Sequence, residues 1–413
     1  MSEGGMGEAP CLRLAMVSTT DALCGIASYT RALAPQLQAW MEVEVFGLDQ
    51  DLLLQRHPRL AALGDRHIEA IAARLAGFDV VNIQLEFGTL GLTPPRILRR
   101  LRWLMEAAPA LSLTLHRVPE PGGWGTIGGG RPREVFDRFI AAVHEARLAR
   151  GLHGLMRQAE RRGPFAIIVH GAREARLLRD LHGYGTVEHH PLAFLTAAQA
   201  QAVRAAASRT EFAQIASLPA NAVLVGVFGF LSPYKGIETA IEAMRLLPET
   251  HHLLLFGNVH AQRYRPHQAI DPYLQRIVQA CGGPMARRVH FMGSPGDEDF
   301  ARAMAICDVV AMPYLEVGQT SSGAVAMALE LGCRVVASRT RNFLQLDRAM
   351  PGLIEFFDIG NAVELAQRLL TPIERRDGSF LPFTVNTNVA LYRRVHRALA
   401  QARATELKVD EHR

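Results

Sequence analysis

Val223-Leu224-Val225-Gly226-Val227-Phe228-Gly229-Phe230-Leu231-Ser232-Pro233-Tyr234-Lys235-Gly236 is an apolar run that ends on a glycine and turns through a short polar segment to a lysine and a second glycine. The run to Phe228 is too short for a helix. Bounded by glycine and rich in valine, it reads as a strand buried on both faces, as in a parallel sheet. The turn then carries a cation to the carboxyl end of that strand, the ligand side of a doubly wound α/β sheet. The cation is unusual in this chain: of 45 lysines and arginines, only Lys235 and Lys408 are lysines. A lysine is a compact point charge that reaches under a phosphate, where arginine brings a planar fork. By position alone Lys235 is either a solvated loop cation or a ligand for a diphosphate.

Outward from this stretch the same pattern repeats. Strand-like runs follow at 252–256, 289–292, 309–312 and 334–338, and precede it at 12–17, 43–46, 80–84, 111–115 and 165–169, with helical sequence between them. Such alternation predicts an α/β fold with parallel sheets. A chain of 413 residues exceeds what one core serves. The expected organisation is two Rossmann-like domains, at 11–195 and 221–385, facing across a cleft. An Ala- and Gln-rich segment at 196–220, expected to be helical, joins them, and a helix at 386–405 is expected to pack back on the first. The Gly- and Pro-rich stretch 119–130 is loop material, either a lid or a flexible insertion.

Composition excludes little else. With 49% apolar and 21% charged residues the chain is globular, and a net charge of +5 suits nucleic acid, an anionic membrane or an anionic substrate alike. Five cysteines without paired spacing indicate neither a disulfide framework nor a zinc site. No apolar stretch reaches the length that spans a bilayer, and no secretory signal is evident, so a cytoplasmic location is expected. Arg96 to Leu104 alternates cations with apolar groups, which describes either a solvated helix face or a surface lying on an anionic membrane.

A second segment carries chemistry. Pro313-Tyr314-Leu315-Glu316-Val317-Gly318-Gln319-Thr320-Ser321-Ser322-Gly323 leaves a strand and enters a short helix that Gly332 closes. Thr320, Ser321 and Ser322 supply hydroxyls and Gly323 allows close backbone approach, so the helix start either caps itself or binds phosphate through its free amides and dipole. Taken with Gly229 and Lys235-Gly236, the half from Gly226 to Ser338 resembles the donor domain of retaining GT-B glycosyltransferases of family 4. In the first half, Cys24-Gly25-Ile26-Ala27, Val81-Asn82-Ile83-Gln84-Leu85-Glu86-Phe87-Gly88 and Thr114-Leu115-His116 resemble the turn, strand end and cleft segment of one branch of that family.

The resemblance implies a retaining hexosyltransferase that takes a UDP- or GDP-sugar donor and a glycan or lipid-linked acceptor, in surface polysaccharide or glycoconjugate synthesis, without nucleic acid, cofactor or metal. Lys235, Gly25, Gly229, Gly236, Thr320, Ser321, Ser322, Gly323 and Glu316 would hold the donor diphosphate and sugar, and Gly257 and Asn258 the nucleotide base. His116 would stand nearest the reacting carbon, polarising a sugar hydroxyl or lending a backbone contact, with Gln319 and Glu86 as further catalytic candidates. For Glu86 a solvated loop carboxylate is the other reading, and for His190 a structural hinge is favoured. Two departures matter: the family's paired glutamates fall here on Gln319 and Met327, and Phe230 replaces its first cation. Met327 is expected in the core, while Glu316 is a candidate for a displaced carboxylate. The alternative is a degenerate nucleotide-sugar-binding or scaffold protein. An NAD-dependent oxidoreductase fits less well, for want of the three-glycine spacing, and a sugar-nucleotide epimerase remains open.

Overall fold

The computed structural model describes residues 11–20, 25–119, 132–258, 270–316, 321–371 and 381–411. The glycine-rich stretch from residue 120 onward, Gln319 and Thr320 lie outside the described residues.

The first sheet contains β1 (Arg13–Thr19), β2 (Glu42–Leu48), β3 (Val80–Leu85), β4 (Leu111–Leu115), β5 (Phe165–Val169) and β6 (Val187–His189). Among them run α1 (Gly25–Leu37), α2 (Gln50–Leu53), α3 (Pro58–Leu75), α4 (Phe87–Leu90), α5 (Pro94–Ala107), α6 (Pro132–Arg162) and α7 (Ala172–Arg176). After α8 (Ala197–Ala206) the second sheet follows as β7 (Val223–Phe228), β8 (His251–Phe256), β9 (Val289–Gly293), β10 (Val309–Met312), β11 (Val335–Ser338) and β12 (Ile354–Phe357). Its helices are α9 (Ile237–Arg245), α10 (Pro272–Ala280), α11 (Asp297–Ala305), α12 (Gly323–Glu330), α13 (Arg341–Ala349) and α14 (Ala362–Leu370), and α15 (Val385–Glu411) ends the chain.

The chain divides into two compact units, Met1–His190 with Asn386–Arg413, and Pro191–Val385. Each holds a six-stranded sheet in which every pair is parallel. The strand order of the first is β2-β1-β3-β4-β5-β6, and that of the second is β12-β11-β10-β7-β8-β9. The order therefore reverses beside β1 and β3 in one unit, and beside β7 and β10 in the other. Ligands of open α/β sheets bind outside the carboxyl ends of the strands at such reversals. The apolar runs become strands because helices cover both faces: β3, β4, β5, β8, β10 and β11 are buried at every residue.

Two expectations are corrected. The segment 196–220 is helical only to Ala206. Thr196 and Gln199 form a reciprocal capping box that starts α8. Beyond it, the Ser208 hydroxyl accepts the Thr210 amide at 3.3 Å, a local bond that competes with helix, and the chain continues in turns. In α5, Arg100 is 0% exposed and not available to a membrane. Its guanidinium pairs with Asp65 at 2.7 Å and donates to the Leu53 and Leu90 carbonyls, each at 2.8 Å, and to Ala61 at 3.0 Å. Arg96 likewise donates to Gln55 O, which leaves Arg99 and Arg102 as the exposed cations of that stretch, Arg99 already paired with Asp65. Among the described residues no helix is long and apolar enough to cross a membrane.

Candidate functional site

At the reversal point of the second sheet, three strand-end loops press backbone on backbone. Gly236 follows the turn Pro233–Lys235 with φ 62° and starts α9; a Cβ there would lie 1.8 Å from Pro313 O, in the loop after β10. Gly257, after β8, has φ 150°, and its Cβ would lie 1.9 Å from Gly229 O. Only glycine satisfies both the left-handed backbone and the close approach at these two positions. Asn258, expected near a nucleotide base, receives the Leu231 amide on its carbonyl at 3.0 Å and so fixes the loop after β7.

This packing seats Lys235. The side chain is only 5% exposed, and a Cβ on Gly229 would meet its Nζ at 2.9 Å. Nζ donates to Tyr314 Oη and sits over two aromatic faces, 4.0 Å from the Tyr314 ring centroid and 5.2 Å from that of Tyr234. Two electron-rich faces suit an ammonium that has lost its water. Burial pulls the Lys235 ammonium below its ordinary range, and the neighbouring Tyr234 opposes that pull. The same burial pushes the Tyr314 phenol up to about 12, so it stays protonated. Tyr314 Oη lies 3.4 Å from Ser322 Oγ, which links the lysine to the start of α12. The lysine is therefore not a solvated loop cation.

Ser322 is the residue before α12, yet its side chain makes no capping bond to that helix. The hydroxyl turns to Tyr314 instead, and through Tyr314 the positive end of α12 is joined to Lys235. Gly323 packs under Phe194, whose ring carbon would be 3.1 Å from a Cβ at that position. Ser321 precedes Ser322 in the chain. The structure thus brings Lys235, Gly229, Gly236, Ser321, Ser322 and Gly323 to one place, an arrangement of one cation, hydroxyls and helix-start amides that suits a diphosphate. Glu316 is drawn away: its carboxylate accepts the Arg341 amide at 2.7 Å, at the start of α13. Met327 is buried in the core, as its helical spacing implies.

In the first unit, Glu86 stands between β3 and α4, while His116 directly follows β4. Burial raises the Glu86 carboxyl above its usual range, against the lowering effect of Arg117 and of the Phe87 and Gly88 amides. Its expected alternative as a plainly solvated carboxylate does not hold. His116 is nearly buried, and both ring nitrogens are engaged, Nε2 by the Gln84 amide at 2.8 Å and Nδ1 by His170 Nε2 at 3.2 Å. Burial holds both imidazoles low, His170 at about 4. Of the two roles expected for His116, a contact through the main chain is compatible with these bonds, and a ring bond to a sugar hydroxyl is not. Gly25 opens α1, and among the described residues no atom lies within 4 Å of where a Cβ would stand. His190 is structural: its carbonyl accepts from His170 at 3.0 Å and its Nε2 lies 2.8 Å from Thr387 Oγ1. Sequence reading missed Tyr314, Tyr234 and His170; of these only Tyr234, the lysine's neighbour in the chain, stood where the sequence could have signalled it.

Comparison with known proteins bears on the fold that carries these residues. Residues 222–374, most of the second unit, match the family model for Glycosyl transferases group 1. No curated protein matches the chain by sequence. HepE from Anabaena in complex with UDP superposes with a TM-score of 0.57 at 16% identity, over 96% of this chain and 100% of that one. Sucrose-phosphate synthase from Thermosynechococcus elongatus gives 0.59 at 19% identity, over 97% and 98%. A UDP-forming α,α-trehalose-phosphate synthase from Burkholderia xenovorans gives 0.60 at 12%, over 95% and 100%. At these identities the likeness is one of fold, and the fold is GT-B.

Proposed function

We propose that this chain is a retaining, family 4 type glycosyltransferase that moves a hexose from a nucleoside diphosphate sugar to a glycan or lipid-linked acceptor in surface polysaccharide or glycoconjugate synthesis. The observation that carries the reading is the buried Lys235, joined through Tyr314 to the start of α12, at the β7/β10 reversal. Cleaving a sugar–diphosphate bond requires negative charge to be stabilised on the departing phosphate. The buried Lys235 supplies the charge and the amides at 321–323 supply oriented dipoles. That pairing needs no divalent ion, and a metal-independent reaction is part of the proposal. HepE was crystallised with UDP, and with UDP-glucose, which makes a uridine donor the first to test. A cytoplasmic location suits such donors, and contact with an anionic membrane would fall to Arg99 and Arg102, the cations α5 exposes.

A second reading, a nucleotide-sugar-binding protein without turnover, is favoured by one observation: Met327 is in the core and Glu316 is held by Arg341, so neither places a carboxylate by Ser322. One experiment separates them. Titration with UDP-, GDP- and ADP-sugars should raise the melting temperature for one nucleotide, since saturation at about 100 times Kd adds roughly 2.7 kcal/mol. Lys235→Ala should remove that rise and lower donor turnover on the order of 100-fold or more, with the unliganded fold intact. Binding without transfer or donor hydrolysis selects the second reading; wild-type binding and turnover in Lys235→Ala sinks the first.

A further inference from the structure

One face of the first sheet is polar although it is buried. Asn82 and Gln84 alternate along β3, and Ser112 and Thr114 along β4 with His116 just beyond, while the intervening residues Val81, Ile83, Leu111, Leu113 and Leu115 enter the apolar core. α15 lays hydrogen-bonding groups over this stripe. Tyr392 Oη lies 2.8 Å from Thr114 Oγ1 and 3.4 Å from the Gln84 amide, and His396 Nε2 lies 2.9 Å from Ser112 Oγ. The amides of Asn82 and Gln84 meet at 2.6 Å. From Gln84 the contacts run through His116 and His170 to the His190 carbonyl.

Protons in this chain are constrained from its far end. A carbonyl only accepts, so His170 Nδ1 carries a hydrogen and donates it to His190 O. A neutral His170 then offers a lone pair at Nε2, and the facing His116 Nδ1 must be the donor. A neutral His116 in turn has a lone pair at Nε2 and needs a hydrogen from Gln84. As placed, the Gln84 oxygen faces His116, which would require three hydrogens on four ring nitrogens and a charge on a buried pair. Turning the Gln84 and Asn82 amides by half a turn keeps their shape and exchanges nitrogen for oxygen. Gln84 then donates to His116 and accepts from Asn82, while Asn82 accepts from the hydroxyls of Ser112 and Thr114. The short contacts of Gln84, Asn82 and both imidazoles are then satisfied with neutral rings, which is also the direction in which burial pushes both, and only the two long contacts, Asn82 to Ser112 O at 3.5 Å and Gln84 to Tyr392 Oη at 3.4 Å, lose their hydrogen.

We propose that His170 and Gln84, the latter held by Asn82, are positioning residues that fix His116 as the neutral tautomer with its proton on Nδ1. The ring is then no base. It is a wall of fixed orientation at the end of β4, and α15 helps to set it. The proposal rests on the transferase reading only for the meaning of His116; the proton placement is tested without turnover.

The test is long-range 1H–15N NMR of the full chain labelled at histidine nitrogens, at neutral pH. His116 and His170 should each show one protonated nitrogen, Nδ1. His170→Phe keeps a ring but removes the acceptor, and His116 should switch to the Nε2–H form. Gln84→Leu should leave the proton on Nδ1 and move the His116 Nε2 resonance to that of an unbonded nitrogen. A merely structural His170 would lower the melting temperature without moving the His116 proton. An Nε2–H or doubly protonated His116 in the wild type overturns the proposal. So does an unchanged His116 signal in either variant. Neither result bears on nucleotide binding, which tests the transferase reading separately.

Discussion

Glu330 is a buried carboxyl at the last residue of α12, the helix whose other end is joined to Lys235 through Tyr314. Its oxygens accept the Phe194 amide at 2.9 and 3.1 Å and the Leu195 amide at 3.2 Å, so one side chain satisfies two backbone donors just inside the second unit. Phe194 in turn packs its ring on Gly323. Burial raises the Glu330 carboxyl to about 8, and the two amides, which favour the charged form, only partly offset it. The folded state therefore holds a proton that the unfolded chain releases near its ordinary value. The corresponding stability is complete below about pH 4.5 and is lost as pH rises toward 8, at up to roughly 1.4 kcal/mol per pH unit. Glu330→Gln is neutral throughout and should flatten that slope, making the variant's deficit smaller at pH 8 than at pH 5 in urea unfolding. Parallel curves for wild type and variant would show that Glu330 does not titrate in this window.

At the scale of elements, what was legible followed from local pattern. Short valine-rich runs closed by glycine are strands wherever both faces are covered, and Lys235 and Ser322 come together because each follows a strand and those strands, β7 and β10, are neighbours. Tyr314 was not legible, since an aromatic residue in a loop carries no periodic signal for the cation beneath it. The polar stripe of β3 and β4 was visible only as alternation; its partner on α15, 278 residues from Thr114 to Tyr392, is not a local property. The end of α8 was misjudged because alanine content favours helix while Ser208 and Thr210 favour a turn. The site depends on how elements meet, as Gly236 illustrates. Gly236→Ala combines a left-handed backbone with a Cβ 1.8 Å from Pro313 O, and must push the β10 loop from the α9 start. The expected cost is about 1–3 kcal/mol from backbone strain, with more from the clash. Melting temperature and nucleotide affinity should fall together, because the same loop carries Tyr314. Unchanged affinity in a folded Gly236→Ala protein would separate the loop from the ligand.

Across the whole molecule, titration of buried groups sets the pH range in which the fold holds. In the first unit burial lowers His153 and His170 to about 4 and His396 to about 3, with His116 also well below its ordinary value. In the second unit His251, His252 and His290 shift the same way. Each binds protons more readily unfolded than folded, so its contribution is complete above about pH 6.5 and is lost as pH falls through the folded value. For His170 alone that loss is on the order of 3 kcal/mol between pH 6.5 and 4. Glu86 and Glu330 act in the opposite sense over part of this range. With His189, which burial lowers as well, two carboxyls stand against eight imidazoles, so net stability should drop steeply on acidification, well above the pH at which ordinary carboxylates protonate. His396 sharpens the test, being 0% exposed with one ring nitrogen on Ser112 and, among the described residues, no partner for Nδ1. Urea midpoints measured at pH 7.0, 5.5 and 4.5 should fall progressively, and His396→Leu, which cannot be protonated, should lose less than wild type between the first and last. A midpoint constant over those three values would mean that the imidazoles are already charged in the folded protein, against the bonding that surrounds them.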